Sequence, residues 1–153
     1  MADTYSQLYI QTVFAVKGRD CLLRKEWRDE VFRYIAGIIS NKGHKPIIVN
    51  GVADHVHVFF GLNPSMSISD LMREVKNNST NFINSKGWIG GKFAWQEGYG
   101  AFSYSRSQVE DVYKYIVNQE AHHSKRTFKE EYLDMLKKFE VEFDEQYLFD
   151  WLE

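Results

Sequence analysis

Two β-rich runs, residues 45–52 and 54–61, follow one another with room for only a short turn between them, which commits the middle of the chain to an antiparallel hairpin. Upstream, residues 6–16 alternate Leu8, Ile10, Thr12, Phe14 and Val16 against Gln7, Tyr9, Gln11, Val13 and Ala15. That is a long strand whose more polar face is expected to stay open. A basic turn, Lys17-Gly18-Arg19-Asp20, leads into a helix over 25–40, with Trp27, Val31, Tyr34, Ile35, Ile38 and Ile39 at helical spacing. Asn41-Lys42-Gly43 stops it. Downstream of the hairpin, Ser67-Ile68-Ser69-Asp70 caps a helix reaching about residue 85, with Ile68, Leu71, Met72, Val75 and Phe82 on one side. Glycines at 87–91 break it, and 93–105 reads as a fourth strand with a Gly98-Tyr99-Gly100 bend. Helices follow over 107–121 and 127–139.

The succession β-α-β-β-α-β defines an α+β, ferredoxin-like fold with an antiparallel sheet, here extended by C-terminal helices. Helices on one face of such a sheet leave the other available for a site. At 153 residues with 44% hydrophobic side chains, the chain fits one globular domain over 1–153. Only Pro46 and Pro64 occur, and no low-complexity linker divides it. The segment 143–153 mixes Tyr147, Phe149 and Trp151 with acids and reads as a tail that packs on its own chain or on a partner. A single cysteine, Cys21, excludes an internal disulfide and reads as a small buried hydrophobe. No apolar run approaches the roughly 20 residues needed to cross a bilayer, and no signal peptide is evident, so the expected location is cytoplasmic. Net charge is −2, but the acids crowd after residue 139 and leave 1–138 positive. Composition thus neither requires nor excludes a nucleic-acid partner.

The chemistry is carried first by Asp54-His55-Val56-His57-Val58-Phe59-Phe60. Alternation sends Val56, Val58 and Phe60 to one face and His55, His57 and Phe59 to the other. Same-face neighbours on a strand stand within ~7 Å, so both imidazoles can reach one cation. Taken alone, the pair reads equally well as two hydrogen-bonded structural histidines, and a third ligand is needed.

The helix over 107–121 supplies candidates. Val109, Val112, Tyr113 and Ile116 share one arc at about 100° per residue, which makes Tyr113 a core residue. Asp111, Tyr115, Gln119 and His122 occupy another arc, with Tyr115 and Gln119 as i,i+4 neighbours able to act at one site. A phenol with a pKa of about 10 is a poor nucleophile, and a nearby divalent cation lowers the cost of the phenolate. Gln119 can add its amide oxygen to a metal shell. A lone surface tyrosine is most often amphipathic cover, so Tyr115 gains meaning only beside His55, His57 and Gln119.

Three stretches together carry a resemblance: Asp-His-Val-His-Val-Phe-Phe at 54–60, Phe-Ala-Trp-Gln-Glu-Gly-Tyr-Gly-Ala-Phe-Ser at 93–103, and Tyr-Ile-Val-Asn-Gln followed by Ala-His-His at 115–123. In them the chain resembles the single-tyrosine HUH transposases of small insertion sequences. The resemblance implies a transposase that cleaves and rejoins single-stranded DNA through a 5′-phosphotyrosine. It implies Tyr115 as nucleophile, His55, His57 and Gln119 as ligands of a divalent ion (Mg or Mn), and hairpin element ends as substrate. It also implies a homodimer whose active sites can combine the histidines of one subunit with the tyrosine helix of the other. No Gly-x-x-x-x-Gly-Lys-Ser/Thr loop is present, so no nucleotide cofactor is expected.

For DNA contact the expected residues are Lys17 and Arg19 in the first turn, Arg73, Lys76 and Asn77 on the second helix, and Arg106 before the tyrosine helix, although each taken singly reads as a solvated polar group. Trp95, Tyr99, Phe102 and Tyr104 are candidates for stacking on unpaired bases, with core packing the competing role. His122 and His123 are either helix-end dipole partners or site residues, and His44 reads as turn decoration. Competing functions are a non-catalytic single-stranded nucleic-acid-binding module, a related HUH replication or relaxase-type nickase, and a structural metal protein. The first does not explain a His-x-His facing Tyr-x-x-x-Gln, and the second is disfavoured by the lack of further domains in so short a chain.

Overall fold

Strand β3, His55–Gly61, is buried along nearly its whole length because both of its faces find a partner. The computed structural model describes residues 3–18 and 22–144. Within them β1 is Tyr9–Ala15, α1 Arg28–Asn41, β2 Lys45–Gly51, α2 Ile68–Lys86, β4 Gly100–Tyr104, α3 Val109–Val117, α4 Gln119–His123 and α5 Phe128–Lys138. The four strands lie in the order β2-β3-β1-β4, each pair antiparallel. The expected β-α-β-β-α-β succession is therefore present in an α+β fold. Arg19, Cys21 and the tail from 145 onward lie outside the described residues, so the expectations placed on them stand outside it too. Among the described residues no helix is long and apolar enough to cross a membrane.

One face of the sheet is closed by α1 and α2. Ile10, Phe14, Val56, Val58 and Phe60 meet Val31, Ile35 and Ile39 of α1 and Leu71, Val75 and Ile83 of α2 in one apolar cluster. Ser67 caps α2 as expected, its hydroxyl accepting from the Asp70 N–H at 3.1 Å. His44 is not turn decoration: it is buried, its Nδ1 accepts from the Asn63 N–H at 2.9 Å, and it pins the start of β2 to the segment after β3.

The opposite face is not open, and this corrects the sequence expectation. Alternation places Gln11, Val13, Ala15, His55, His57, Phe59 and Phe102 there, and α3, α4 and α5 cover them. The stripe Phe128, Tyr132, Met135 and Leu136 on α5 packs on Val13, Ala15 and Phe102. Burial of apolar surface at roughly 25 cal/mol per Å² favours this docking over leaving both stripes in water. Gly100 makes it possible: a Cβ at that position would lie 2.7 Å from Tyr132 Cε1 and 2.8 Å from its hydroxyl.

Two further elements differ from expectation. The fourth strand begins at Gly100: residues 93–98 meet the end of β1 only around Val16, where the Lys17 N–H donates to the Ala94 carbonyl at 2.9 Å and the Gln96 N–H to the Ala15 carbonyl at 2.8 Å, and α2 side chains hold the rest. Asn84 brackets Phe93 with bonds of 2.8 and 3.2 Å, Lys76 donates to the Gln96 and Gly98 carbonyls at 2.9 and 2.5 Å, and Trp95 donates to Ser79 Oγ at 2.9 Å. Trp95 keeps a single bridge to Val16. The helix expected over 107–121 is also divided, starting as a 3-10 turn at Arg106–Gln108 and breaking at Asn118, whose side chain competes for the Lys114 carbonyl at 2.9 Å.

Candidate metal and tyrosine site

The period-two pattern of β3 turns His55 and His57 toward α3–α5 with ring centroids 5.1 Å apart, both fully buried. Each ring is fixed by its Nδ1. His55 Nδ1 faces Asp54 Oδ1 at 2.7 Å, and His57 Nδ1 faces the Gln11 amide at 2.8 Å, itself held by the Tyr104 hydroxyl at 2.6 Å. Outer partners of this kind orient an imidazole and leave Nε2 aimed into the site.

Sequence reasoning missed the group those Nε2 atoms meet. Glu131 of α5 is fully buried, and its Oε1 lies 3.2 Å from His55 Nε2, 3.1 Å from His57 Nε2 and 3.1 Å from His123 Nε2. Its Oε2 accepts from the Tyr115 hydroxyl and from Gln119 Nε2, the latter at 3.2 Å. Gln119 Oε1 lies 3.1 Å from His55 Nε2. The signal was present in the sequence: Glu131 sits at i+3 from Phe128 and i−4 from Met135, a carboxylate in the middle of an apolar stripe, and such a position demands partners.

Thus His55, His57, Tyr115 and Gln119 gather within one chain, with Glu131 and His123 added. Tyr115 is partly buried, stacked on His122 at 4.6 Å, and its hydroxyl also accepts from Arg126 Nη2 at 3.3 Å. Tyr113, expected in the core, is instead 44% exposed. The buried arc of the helix runs through Val112, Tyr115, Ile116 and Gln119, rotated from the expected one, because Val112 and Ile116 pack on the sheet while Tyr115 and Gln119 must reach Glu131 of α5. Asn50 of β2 fixes that rotation by donating to the Ile116 and Val117 carbonyls at 2.9 and 3.3 Å.

The electrostatics are those of a closed charge cluster. Burial alone would push the Glu131 carboxyl up, but the hydrogen bonds from His123, His55 and His57 outweigh it and hold the carboxyl far below the usual range. Burial drives His57 down to about 4. Burial also opposes charge on His55, yet the Asp54 and Glu131 carboxylates overcome it and raise its pKa. The Tyr115 phenol is held well above its ordinary value, first by burial and then by its bond to Glu131.

The donor set fits a divalent cation. One ligand atom from each of His55, His57 and Glu131 lies within 4.8 Å of the others, and the contacts of 3.1–3.2 Å match the separation of about 3 Å between adjacent ligands of an octahedral ion bound at about 2.1 Å. Two imidazoles with carboxylate and amide oxygens form a mixed N/O set suited to Mn and similar ions.

The residues expected to contact DNA are scattered. Lys17 is exposed where β1 runs past the His55 end of the sheet, and Arg106 is exposed in the turn before α3. Arg73 and Asn77 are exposed on α2, across the sheet from the histidine pair, and Arg73 pairs with Asp70. Lys76 points inward, its ammonium on two carbonyls and 5.4 Å from the Phe14 ring centroid. Of the aromatics considered for stacking on bases, Trp95 and Phe102 are core residues, while Tyr99 and Tyr104 are partly buried.

This fold, a four-stranded antiparallel sheet with helices on both faces, is that of tyrosine transposases. A REP-associated tyrosine transposase bound to a REP hairpin superposes with a TM-score of 0.59 at 13% identity, covering 80% of this chain and 73% of that one. A candidate transposase from Deinococcus radiodurans R1 superposes with a TM-score of 0.61 at 22% identity, covering 78% and 95%. The chain belongs to the IS200-like transposase family, whose profile matches residues 4–119. No curated protein matches it significantly. Glu131, His123 and Arg126 all lie beyond the matched region.

Proposed function

We propose that this transposase cuts and rejoins single-stranded DNA at insertion-sequence ends in the cytoplasm, with Tyr115 as nucleophile. One observation carries the reading: the Tyr115 hydroxyl donates to the same carboxylate on which His55 and His57 converge. Tyr115 Oη attacks a phosphodiester, the bond to the 3′-oxygen breaks, and the 5′ side remains as phosphotyrosine. Glu131 Oε2 accepts the phenol hydrogen and holds Tyr115 Oη in place; as Oη bonds to phosphorus its proton passes to solvent, and the departing 3′-oxygen takes one from solvent to become a hydroxyl. A later 3′-OH reverses the exchange, so no nucleotide is consumed. A divalent ion, Mg or Mn, would be held by His55, His57 and Glu131 with Gln119 beside them, and would supply charge that favours the phenolate and polarises the phosphate. Asp54 and Gln11 keep the two imidazoles aimed. Each chain carries a complete set of these groups, and a homodimer holds two of them. Hairpin DNA at the element ends is the substrate feature we infer, by analogy with the hairpin-bound neighbour.

The test is incubation with Mg or Mn and labelled single strands bearing element ends, followed by denaturing electrophoresis. A protein–DNA band that survives denaturation is expected from wild type and not from Tyr115→Phe. An adduct retained by Tyr115→Phe and lost in Tyr113→Phe contradicts the assignment, and equal action on duplex contradicts the single-strand claim.

A further inference from the structure

We infer that Arg126 is a phosphate-binding residue of the reaction centre, seating the phosphodiester against Tyr115. The inference rests on the reading of Tyr115 as nucleophile and deepens it. Arg126 lies in the link between α4 and α5, beyond the residues the family profile matches. Its Nη2 donates to the Tyr115 hydroxyl at 3.3 Å, and its Nη1 donates to Asp134 Oδ2 at 3.4 Å.

Access decides which side of the phenol a phosphate can reach. Toward the sheet the hydroxyl is met by Glu131, inside a cluster in which His55, His57, Gln119 and Glu131 are fully buried. Toward solvent Tyr115 lines a cleft of about 410 Å³ together with Arg126, Gln11, Gln108 and Lys138. Arg126 also lines a second cleft of about 580 Å³ with Asp54, His123 and Lys129, so both clefts share this residue. A phosphate entering from the first cleft arrives on the Arg126 side of the phenol oxygen.

The chemistry at that position matches a guanidinium. Once phosphorus bonds to Tyr115 Oη, its two non-bridging oxygens lie two bonds beyond an atom that Arg126 already touches. A planar fork of N–H donors pairs with two such oxygens at once. Asp111 and Asp134 line the same cleft and repel an incoming phosphodiester, which makes a cation beside the phenol necessary to seat one. The present ion pair with Asp134 is long and its acid is 63% exposed, so exchanging it for a phosphate costs little. In the transfer itself the Oη–P bond forms as the P–O3′ bond breaks. Arg126 keeps its protons and changes only its acceptors.

Two measurements test this. First, with metal chelated, thermal melting is followed against inorganic phosphate. Wild type is expected to be stabilised, and Arg126→Gln to need at least tenfold more phosphate for the same response. An equal response, or none in wild type, overturns the proposal. Second, adduct formation on single strands is measured against strand concentration. The maximal rate is expected to fall about 100-fold in Arg126→Gln, as for loss of a donor to a developing oxyanion, with part of the rate restored in Arg126→Lys. An unchanged maximal rate, or a loss confined to the half-saturating concentration, overturns it. If glutamine at 126 unfolds the chain, Arg126→Lys decides: a rate lower by about tenfold supports the bidentate role, and a wild-type rate refutes it. If wild type forms no adduct but loses its phosphate response in Arg126→Gln, the nucleophile assignment falls and the phosphate site stands.

Discussion

Replacing Glu131 by glutamine keeps the side-chain volume while removing the charge on which His55, His57, His123, Tyr115 and Gln119 converge. The amide presents one oxygen and one NH2. With oxygen toward the imidazoles, the NH2 faces the Tyr115 hydroxyl and the Gln119 amide nitrogen, both of which now donate to Oε2. Two buried donors then lose their acceptor, at about 1–3 kcal/mol each. With the amide reversed, its NH2 faces three imidazole nitrogens at 3.1–3.2 Å, of which His57 Nε2 carries a hydrogen when its Nδ1 accepts from Gln11. Either way the loss approaches the 3–5 kcal/mol typical of breaking a buried ion pair by removing one partner. For a chain of this length that corresponds to a melting temperature lower by roughly 6–20 °C. The assay is calorimetry or urea unfolding of wild type and Glu131→Gln with metal chelated. Adding Mn should then stabilise wild type and leave the variant at least about tenfold weaker in Mn affinity. A destabilisation below about 1 kcal/mol, or equal Mn stabilisation in both proteins, would refute the view that Glu131 completes this site.

Gly100→Ala places a methyl within 2.8 Å of the Tyr132 ring and hydroxyl, so α5 should detach from β4. Faster hydrogen exchange confined to residues 128–138 is expected, and unchanged protection there contradicts the docking role assigned to Gly100. Burial lowers Lys76 to about 8 from its ordinary value of 10.5. Because the unfolded chain holds that proton more tightly, wild type gains stability from this group as pH rises from about 8 to 10.5, and below 8 the cost of burying the ammonium is fully present. The melting temperature of Lys76→Met relative to wild type should therefore fall over that interval, and a pH-independent difference counts against an inward, desolvated Lys76.

The histidine pair was legible because a strand has a period of two: once 54–60 is a strand, His55 and His57 must share a face. The α2 cap was equally local, carried by Ser67 and Asp70. What failed was non-local. Gln7, Tyr9 and Gln11 made one face of β1 look solvated, yet Gln11 is buried because Tyr104 and His57 satisfy its amide. The face is closed by a helix more than 100 residues away in sequence, and the clue was the Phe128-Tyr132-Met135-Leu136 stripe, which needs an apolar surface. Residues 93–98 alternate like a strand and do bond β1 around Val16, through the Ala94 carbonyl and the Gln96 N–H, but the ladder stops there and Asn84, Ser79 and Lys76 of α2 take the other bonds. Tyr113 was misassigned because a helix packed between a sheet and another helix has its buried arc set by both contacts, and only the sheet contact was considered.

The central claim is tested most directly by mass spectrometry of the protein after reaction with a single strand bearing an element end and Mg or Mn, followed by nuclease and protease digestion. The account predicts a nucleotide remnant joined through its 5′-phosphate to the peptide containing Tyr115, with fragmentation placing it on that side chain. The same remnant on Tyr113 or any other residue, or cleavage of the strand with no protein-bound product, would contradict it.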